Sequence, residues 1–390
     1  MRYASITERL SRLGSEKWAV HIEGKHRKAK GEKLIFLSIG EPDVAPPTAV
    51  LNAAKAGIRH GNLGYSAGEG AHKLREALSR FYTRQTSREI KPSQFLFLPG
   101  TQAALYVAFM AIIEPGDEVL LLDPYYATYE AVVTAPGGVP VPVRLDPDND
   151  FHINFDLLEK AMTPKTKAML LNSPSNPTGA VFTEEEISRL GAFAKKHNLW
   201  IVSDEVYATL VHEGHRFISP FFDKSLEERT VVVSSISKSH ALPGFRCGWI
   251  AASEEFCRRA LPVSETMLFG GHPFLEEALT AALDGDFPEN AAAKHAYLSR
   301  AEALVGGLKG ANHLRAHLPE GGMFVMLDVR PTGLSGDQFA RKLLAEEAVV
   351  TMPGESFGDG GAGHVRIALT VDEAIMTEAA RRIRKVAESL

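Results

Sequence analysis

The chain has 390 residues, 45% of them hydrophobic, a net charge of −5 and two cysteines. That length exceeds one small core and predicts two domains, or one large α/β domain with an appendage. The near balance of acids and bases gives no electrostatic reason to expect a nucleic-acid or membrane partner. Cys247 and Cys257 are too few for a disulfide framework or a four-thiolate metal site.

Both cysteines read as small buried apolar residues of a reducing compartment. The opening MRYASITERL lacks the apolar stretch of a secretory leader. No run of about 18 apolar residues follows, so a cytoplasmic protein is expected. Residues 1–30 are charged and helical in pattern, and LIFLSIG at 34–40 is the first apolar run. A helix is predicted over 47–60, then the glycine-dotted loop GNLGYSAGEG at 61–70, then a helix over 71–86 on the spacing of Leu74, Leu78, Phe81 and Tyr82.

From residue 95 the pattern alternates. Strands are predicted in FLFLPG (95–100), EVLLLDP (118–124), VPVPVRL (139–145), KAMLLNSP (167–174), WIVSDEVY (200–207), TVVVSSIS (230–237) and GWIAAS (248–253), with helical segments between several of them. Strands that are apolar throughout imply a mainly parallel sheet covered on both faces. The prolines in VPVPVRL favour an edge. After about residue 280 the composition changes to polar helix, then GGMFVMLDV and HVRIALT as strands of a smaller α+β unit.

Ligands of doubly wound sheets bind at the carboxyl ends of the strands. Here those ends deliver Gly100-Thr101-Gln102 opening a helix, Asn172 and Asn176, Asp204 and Tyr207, and Ser235, Ser237 and Lys238. Taken singly, each has an ordinary explanation: a cap, a turn, an ion pair, a rim tyrosine, a solvated lysine. One shared rim makes five such explanations hold at once.

The motifs Ser38-Ile39-Gly40-Glu41-Pro42-Asp43, Gly64-Tyr65-Ser66, Gly100-Thr101-Gln102, Asn176-Pro177-Thr178-Gly179, Ser203-Asp204-Glu205-Val206-Tyr207, Ser235-Ile236-Ser237-Lys238 with Arg246, and Val365-Arg366-Ile367 span nearly the whole chain. In that order they resemble the fold-type I aminotransferases of class I/II, which use pyridoxal 5′-phosphate. The resemblance implies a mainly parallel seven-stranded large domain with a smaller α+β domain. The expected division is an N-terminal arm with part of the small domain (1–44), a large cofactor-binding domain (45–280) and a small domain (281–390).

It also implies roles. Lys238 matches the amine that carries the cofactor and moves a proton. Asp204 matches the carboxylate at the pyridine nitrogen, and Tyr207 and Asn176 the donors to the ring's phenolic oxygen. Gly100, Thr101 and Gln102 would hold the phosphate by their N–H groups, with Ser235, Ser237 and Arg246. Tyr126 matches the stacking aromatic, with Tyr125 and Tyr129 nearly as plausible. Arg366, with Asn176 and the Gly40 backbone, matches the substrate α-carboxylate site. Tyr65 matches a tyrosine that reaches the neighbouring site of a homodimer.

Leu242-Pro243-Gly244-Phe245-Arg246 and the Gly-Gly-Met-Phe-Val of 321–325 depart from the commoner family pattern and resemble the arginine–pyruvate transaminase subgroup. The expected reaction is transamination between an L-amino acid, basic or neutral and possibly arginine, and a 2-oxo acid such as pyruvate. An aspartate-type aminotransferase and a C–S lyase are the alternatives. A basic donor calls for an acid in the side-chain pocket, for which Glu41, Asp43 and Glu69 are candidates. Arg258, Arg259 and Arg300 read as solvated helix residues. The fourteen histidines show no metal-ligand spacing, so no metal is expected.

Overall fold

The computed structural model describes residues 1–11, 13–14 and 16–390. Its strands, in chain order, are β1 (Ile35–Phe36), β2 (Phe95–Leu98), β3 (Glu118–Asp123), β4 (Val139–Arg144), β5 (Thr166–Asn172), β6 (Trp200–Asp204), β7 (Thr230–Ser235), β8 (Gly248–Ala251), β9 (Phe324–Asp328), β10 (Val349–Val350), β11 (Met352–Pro353) and β12 (His364–Ala368). Seven of them form one sheet in the order β2-β8-β7-β6-β5-β3-β4. From β7 to β4 every pairing is parallel. β8 runs antiparallel to both β2 and β7. β4 lies at the edge, where the missing N–H groups of Pro140 and Pro142 cost no ladder on the open side.

Side chains alternate across a strand, and the apolar runs divide accordingly. Val119, Leu121, Leu170 and Val202 face one core, with Leu105 and Phe109 of helix Thr101–Ile112. Leu120, Leu122, Met169 and Ile201 face the other, with Ile187 and Leu190 of helix Glu184–Lys196. Both faces are covered, so the strands need no polar side. Thr183 fixes the start of that second helix through a capping box with Glu186.

A separate core gathers Val20 and Leu37 with Phe324, Val350, Ile367 and Ile383. Here β11, β12 and β9 form an antiparallel sheet, and β1 pairs with β10. Helices Pro288–Leu308 and Glu373–Glu388 pack on one another beside it. β12 is the central strand, which places Arg366 between Met352 and Met326. The two cores meet along the rim of the large sheet, where Asn172 and Asp204 stand in register at the ends of β5 and β6.

Candidate active site

The rim is built from strand ends that stop in defined ways. β7 stops at Ser235, whose Oγ accepts the Ser237 N–H at 3.3 Å and starts the short helix Ile236–Ser239. This turn, shorter in strand than the sequence pattern suggests, carries Lys238. Its Nζ donates to the Gly40 carbonyl at 2.6 Å. Past β2 the chain turns at Gly100, φ +89°, into helix Thr101–Ile112. A side chain at Gly100 would put Cβ 2.2 Å from Nη2 of Arg246, so only glycine lets that guanidinium lie across the turn. Arg246 donates to the carbonyls of Pro243 at 3.0 Å and Pro99 at 3.1 Å. Thr101 Oγ1 donates to Ser235 Oγ at 3.0 Å. A helix start with free N–H groups, a guanidinium and two hydroxyls thus converge, a set suited to a phosphate dianion.

Asp204 ends β6 and is 4% exposed. Its Oδ2 accepts from the Tyr129 hydroxyl at 2.8 Å and its Oδ1 from the Val206 N–H at 3.2 Å. Burial raises its carboxyl to about 6, against those hydrogen bonds and the Lys238 charge. Burial also raises the Tyr207 phenol above its ordinary value. Asn172 ties two strands of the site together: its Nδ2 donates to the Asp204 carbonyl at 3.0 Å and its Oδ1 accepts the Asn176 N–H at 2.7 Å.

Arg366 is 2% exposed. Its Nη1 donates to Asn176 Oδ1 at 2.9 Å and its Nη2 to the Ser38 carbonyl at 2.5 Å. The guanidinium lies between the rings of Phe324 and Phe357, at 4.3 and 4.5 Å from their centroids. Its Nε has no partner. A Cβ at Gly40 would fall 2.3 Å from the Phe324 ring, so glycine there leaves the ring its place. Burial lowers the Arg366 guanidinium to about 10. Lys238 is lowered to about 8, first by burial and then by the Arg366 charge, with Glu41 opposing.

All the sequence-predicted site residues except Gly100 and Tyr65 line one cavity of about 280 Å³. Gly100 underlies Arg246 at its edge. Tyr65 is 88% exposed, stacked edge-on against Phe269 at 5.3 Å, and does not line the cavity of its own chain. Trp18, Ile39 and Phe324 line it as well and were not anticipated. Trp18 carries no sequence signal, since it stands in a charged segment remote from every motif. Tyr126 and Tyr129 both line the cavity, and Tyr125 instead donates to Glu130 at 2.6 Å.

One expectation fails, and two candidate acids prove to be engaged elsewhere. Arg300 is not solvated: it is buried and grips both carboxylate oxygens of Asp43 at 2.8 Å, with a third bond to the Leu369 carbonyl. Asp43 is therefore engaged away from the pocket. Glu69 pairs with Arg75 at 3.2 Å. Arg258 and Arg259 are exposed and share Glu255. Both thiols are buried, which pushes each up to about 12. Among the described residues no group of three His, Cys, Asp or Glu side chains is placed to hold a metal.

A lysine, a buried carboxylate, an anion cradle and an arginine with an unpartnered buried Nε fit a flat, phosphate-bearing aldehyde and an α-carboxylate. Fold and site define a pyridoxal-phosphate-dependent enzyme. The model of the family "Aminotransferase class I and II" matches residues 32–383. An arginine–pyruvate transaminase of Pseudomonas aeruginosa is 36% identical over 390 residues, covering 100% of this chain and 99% of that protein. An aspartate aminotransferase of Bacillus subtilis is 32% identical, covering 98% and 99%. The structure of a double mutant of Thermus thermophilus aspartate aminotransferase superimposes with a TM-score of 0.92 at 32% identity, over 99% of this chain and 100% of that one. The chain belongs to the class I and II aminotransferases. It is a pyridoxal-phosphate-dependent enzyme that transfers an amino group between an amino acid and a 2-oxo acid.

Proposed function

We propose that the amino donor is a basic or neutral L-amino acid, with L-arginine the first candidate and pyruvate the acceptor. The observation that carries this is the cation inventory of the cavity. Its lining arginines are Arg246 and Arg366, one lying across the phosphate cradle and one suited to the α-carboxylate. Among the described residues no further arginine lines it to receive a second carboxylate, as an aspartate or glutamate donor would require. The 36% identity to an arginine–pyruvate transaminase supports the same choice.

Each residue has a task in this reading. Bound pyridoxal phosphate supplies an electron sink for charge developing at the substrate's Cα. Arg366, with Asn176 and the Gly40 backbone, orients the α-carboxylate. Lys238 would hold the cofactor and, when free, take the Cα proton with an Nζ whose lowered pKa suits a base near neutrality. Asp204 would keep the pyridine nitrogen protonated, Tyr207 and Asn176 would donate to the phenolic oxygen, and Tyr126 would offer its ring to the cofactor's face. Thr101, Gln102, Ser235, Ser237 and Arg246 would hold the phosphate, while Gly100, whose N–H is bonded to the Leu98 carbonyl at 2.7 Å, would keep Arg246 in place beneath it. The small domain, residues 281–390 with the N-terminal 1–44, brings Arg366 against the large domain of 45–280.

A homodimer completes the site in the same reading, Tyr65 reaching the neighbouring phosphate. Leu63, Tyr65 and Phe269 are exposed apolar side chains, as an uncovered dimer face would be. Among the described residues no helix is long and apolar enough to cross a membrane; the proposed site of action is the cytoplasm. The test is an absorbance titration of the holoenzyme with single amino acids. Arginine or alanine should convert the band near about 420 nm to one near about 330 nm, and pyruvate should reverse it. Lys238→Ala should abolish turnover. Dominant turnover of aspartate or glutamate would overturn the donor assignment, and ammonia release without an acceptor would point to a lyase.

A further inference from the structure

The two rings that flank Arg366 reach it by different routes. Phe324 comes from β9, the strand paired with β12. Phe357 comes from the stretch that joins β11 to β12 through the short turns Gly354–Phe357 and Asp359–Gly361. That stretch links strands of the small antiparallel sheet, yet its backbone is bonded to the large one. The Tyr125 N–H donates to the Phe357 carbonyl at 2.8 Å. Arg144 of β4 donates to the Asp359 carbonyl at 2.9 Å. Asp123, the last residue of β3, accepts the Gly360 N–H on Oδ2 at 2.9 Å.

Asp123 is the unusual member of this contact. It is buried, and its Oδ1 has no partner. Burial raises its carboxyl to about 6, against the Gly360 N–H and Arg144, with Asp359 and Glu130 adding to the rise. At pH 8 it is therefore ionised, and a buried carboxylate with one oxygen unmet is unfavourable for the fold. The facing backbone is shaped to it. Gly358 has φ +109°, and a Cβ there would fall 2.1 Å from Asp123 Oδ1. A Cβ at Gly360 would fall 2.4 Å from the Asp123 carbonyl oxygen. Glycine at both positions lets the stretch close over the carboxylate. Trp18, which lines the active-site cavity, packs against the cluster of Ala127, Met352 and Phe357 on the same side.

We infer that Asp123 is a positioning residue for the reaction: by docking the 354–361 stretch on the end of β3 it holds Phe357 against Arg366, and so sets the affinity of the α-carboxylate site. The inference rests on the assignment of Arg366 to the α-carboxylate. Asn176 and the Ser38 carbonyl take the two Nη atoms, and the two rings fix the tilt of the guanidinium plane from either side. Bidentate recognition of a carboxylate depends on that plane. Asp123 itself does not line the cavity. Its effect is therefore carried by Phe357, and it falls on what all amino donors share rather than on their side chains or on the cofactor.

The test compares holoenzymes at pH 8. Asp123→Ala should raise KM for L-arginine and L-alanine by the same factor, roughly tenfold, as expected for the loss of one hydrogen bond to a charged acceptor. The cofactor's absorbance band and its dissociation constant should not change, and kcat should stay within about twofold, the pattern of lost ground-state binding. Asp123→Asn, which keeps an acceptor for Gly360, should recover most of the loss. Gly358→Ala, made from the other side of the contact, should reproduce it, and the double variant should be no worse than either alone. Should Asp123→Ala fail to fold, Gly358→Ala carries the same comparison. A lower urea midpoint with KM unmoved, a rise in KM for one donor only, or additive effects in the double variant would each overturn the inference. If Arg366→Leu itself leaves KM for both amino acids unchanged, the carboxylate assignment has failed, and the inference falls with it.

Discussion

Lys238 sits in a field that opposes its own charge, and the consequence can be titrated. Burial acts first and Arg366 second, Arg246 adds to both, and Glu41 and Asp204 work against them, leaving the ammonium at about 8 instead of 10.5. At pH 7 about a tenth of the molecules then carry the free amine, against roughly one in 3,000 for an ordinary lysine, a gain of roughly 300-fold. Pulse acetylation of the cofactor-free protein, with the Lys238 peptide quantified by mass spectrometry against a free lysine derivative, reads this directly. Labelling should rise about tenfold per pH unit up to about pH 8 and then level off. The Arg366→Leu variant should move the midpoint up, since a repelling cation is gone. Glu41→Gln should move it down, since an attracting anion is gone. A wild-type rate still climbing tenfold per unit near about pH 10 would refute the argument, because Lys238 would then be an ordinary solvated amine.

Two further predictions concern stability. Asp43→Ala should cost about 2–3 kcal/mol, because it leaves the buried Arg300 guanidinium with only the Leu369 carbonyl; the urea midpoint measures it, and the preference for arginine over norleucine should not follow it. His152 bridges Glu186 at 2.9 Å and Glu320 at 3.3 Å, and the hydrogen bonds to these two carboxylates raise it to about 10. A histidine whose folded value exceeds its unfolded 6.5 stabilises fully below about pH 6.5 and loses that contribution as pH rises through about 10. His152→Gln should therefore flatten the alkaline fall in unfolding midpoint, and an unchanged slope would remove the bridge from the account.

The parts of the fold that were readable are those where chemistry is local. Continuous apolar runs gave the strands because a sheet covered on both faces needs no polar alternation. Pro140 and Pro142 marked the edge strand because proline cannot donate to a central ladder. Lys238, Asp204 and Asn172 stood out because each lies at or just past the end of an apolar run, where a charged or amide group needs a reason. The antiparallel insertion of β8 was not readable, because strand direction leaves no mark on a four-residue run. Arg300 was misread because its partner Asp43 stands 257 positions away in sequence, and a helical arginine looks the same whether solvated or gripped. Trp18 was missed for a similar reason: its place over the cavity is decided by Lys17, Glu130 and Ser356, which come together only in the folded chain.

The electrostatics of the site explain why these residues occur as a set. Lys238, Arg246 and Arg366 share a cavity whose acids are Asp204 and Glu41. Burial first, and then repulsion by Arg366 and Arg246, lowers Lys238, and burial lowers Arg366 to about 10. Arg366 is retained at this depth because Asn176 and Ser38 satisfy two of its nitrogens and two aromatic rings flank its plane. Its remaining Nε lacks a partner, and a buried unmade hydrogen bond to a charged group costs the folded protein about 1–3 kcal/mol or more. That cost has a direction. A phosphate at Arg246 and a carboxylate at Arg366, as proposed, would each bring the missing counter-charge, so the same field that strains the protein alone would favour both ligands. Binding an anion at either arginine would also weaken the repulsion on Lys238 and raise its affinity for a proton, the property that its proposed role as the base at Cα requires. In the proposed mechanism the arginines thus do more than anchor: their occupancy would set when Lys238 becomes a stronger base.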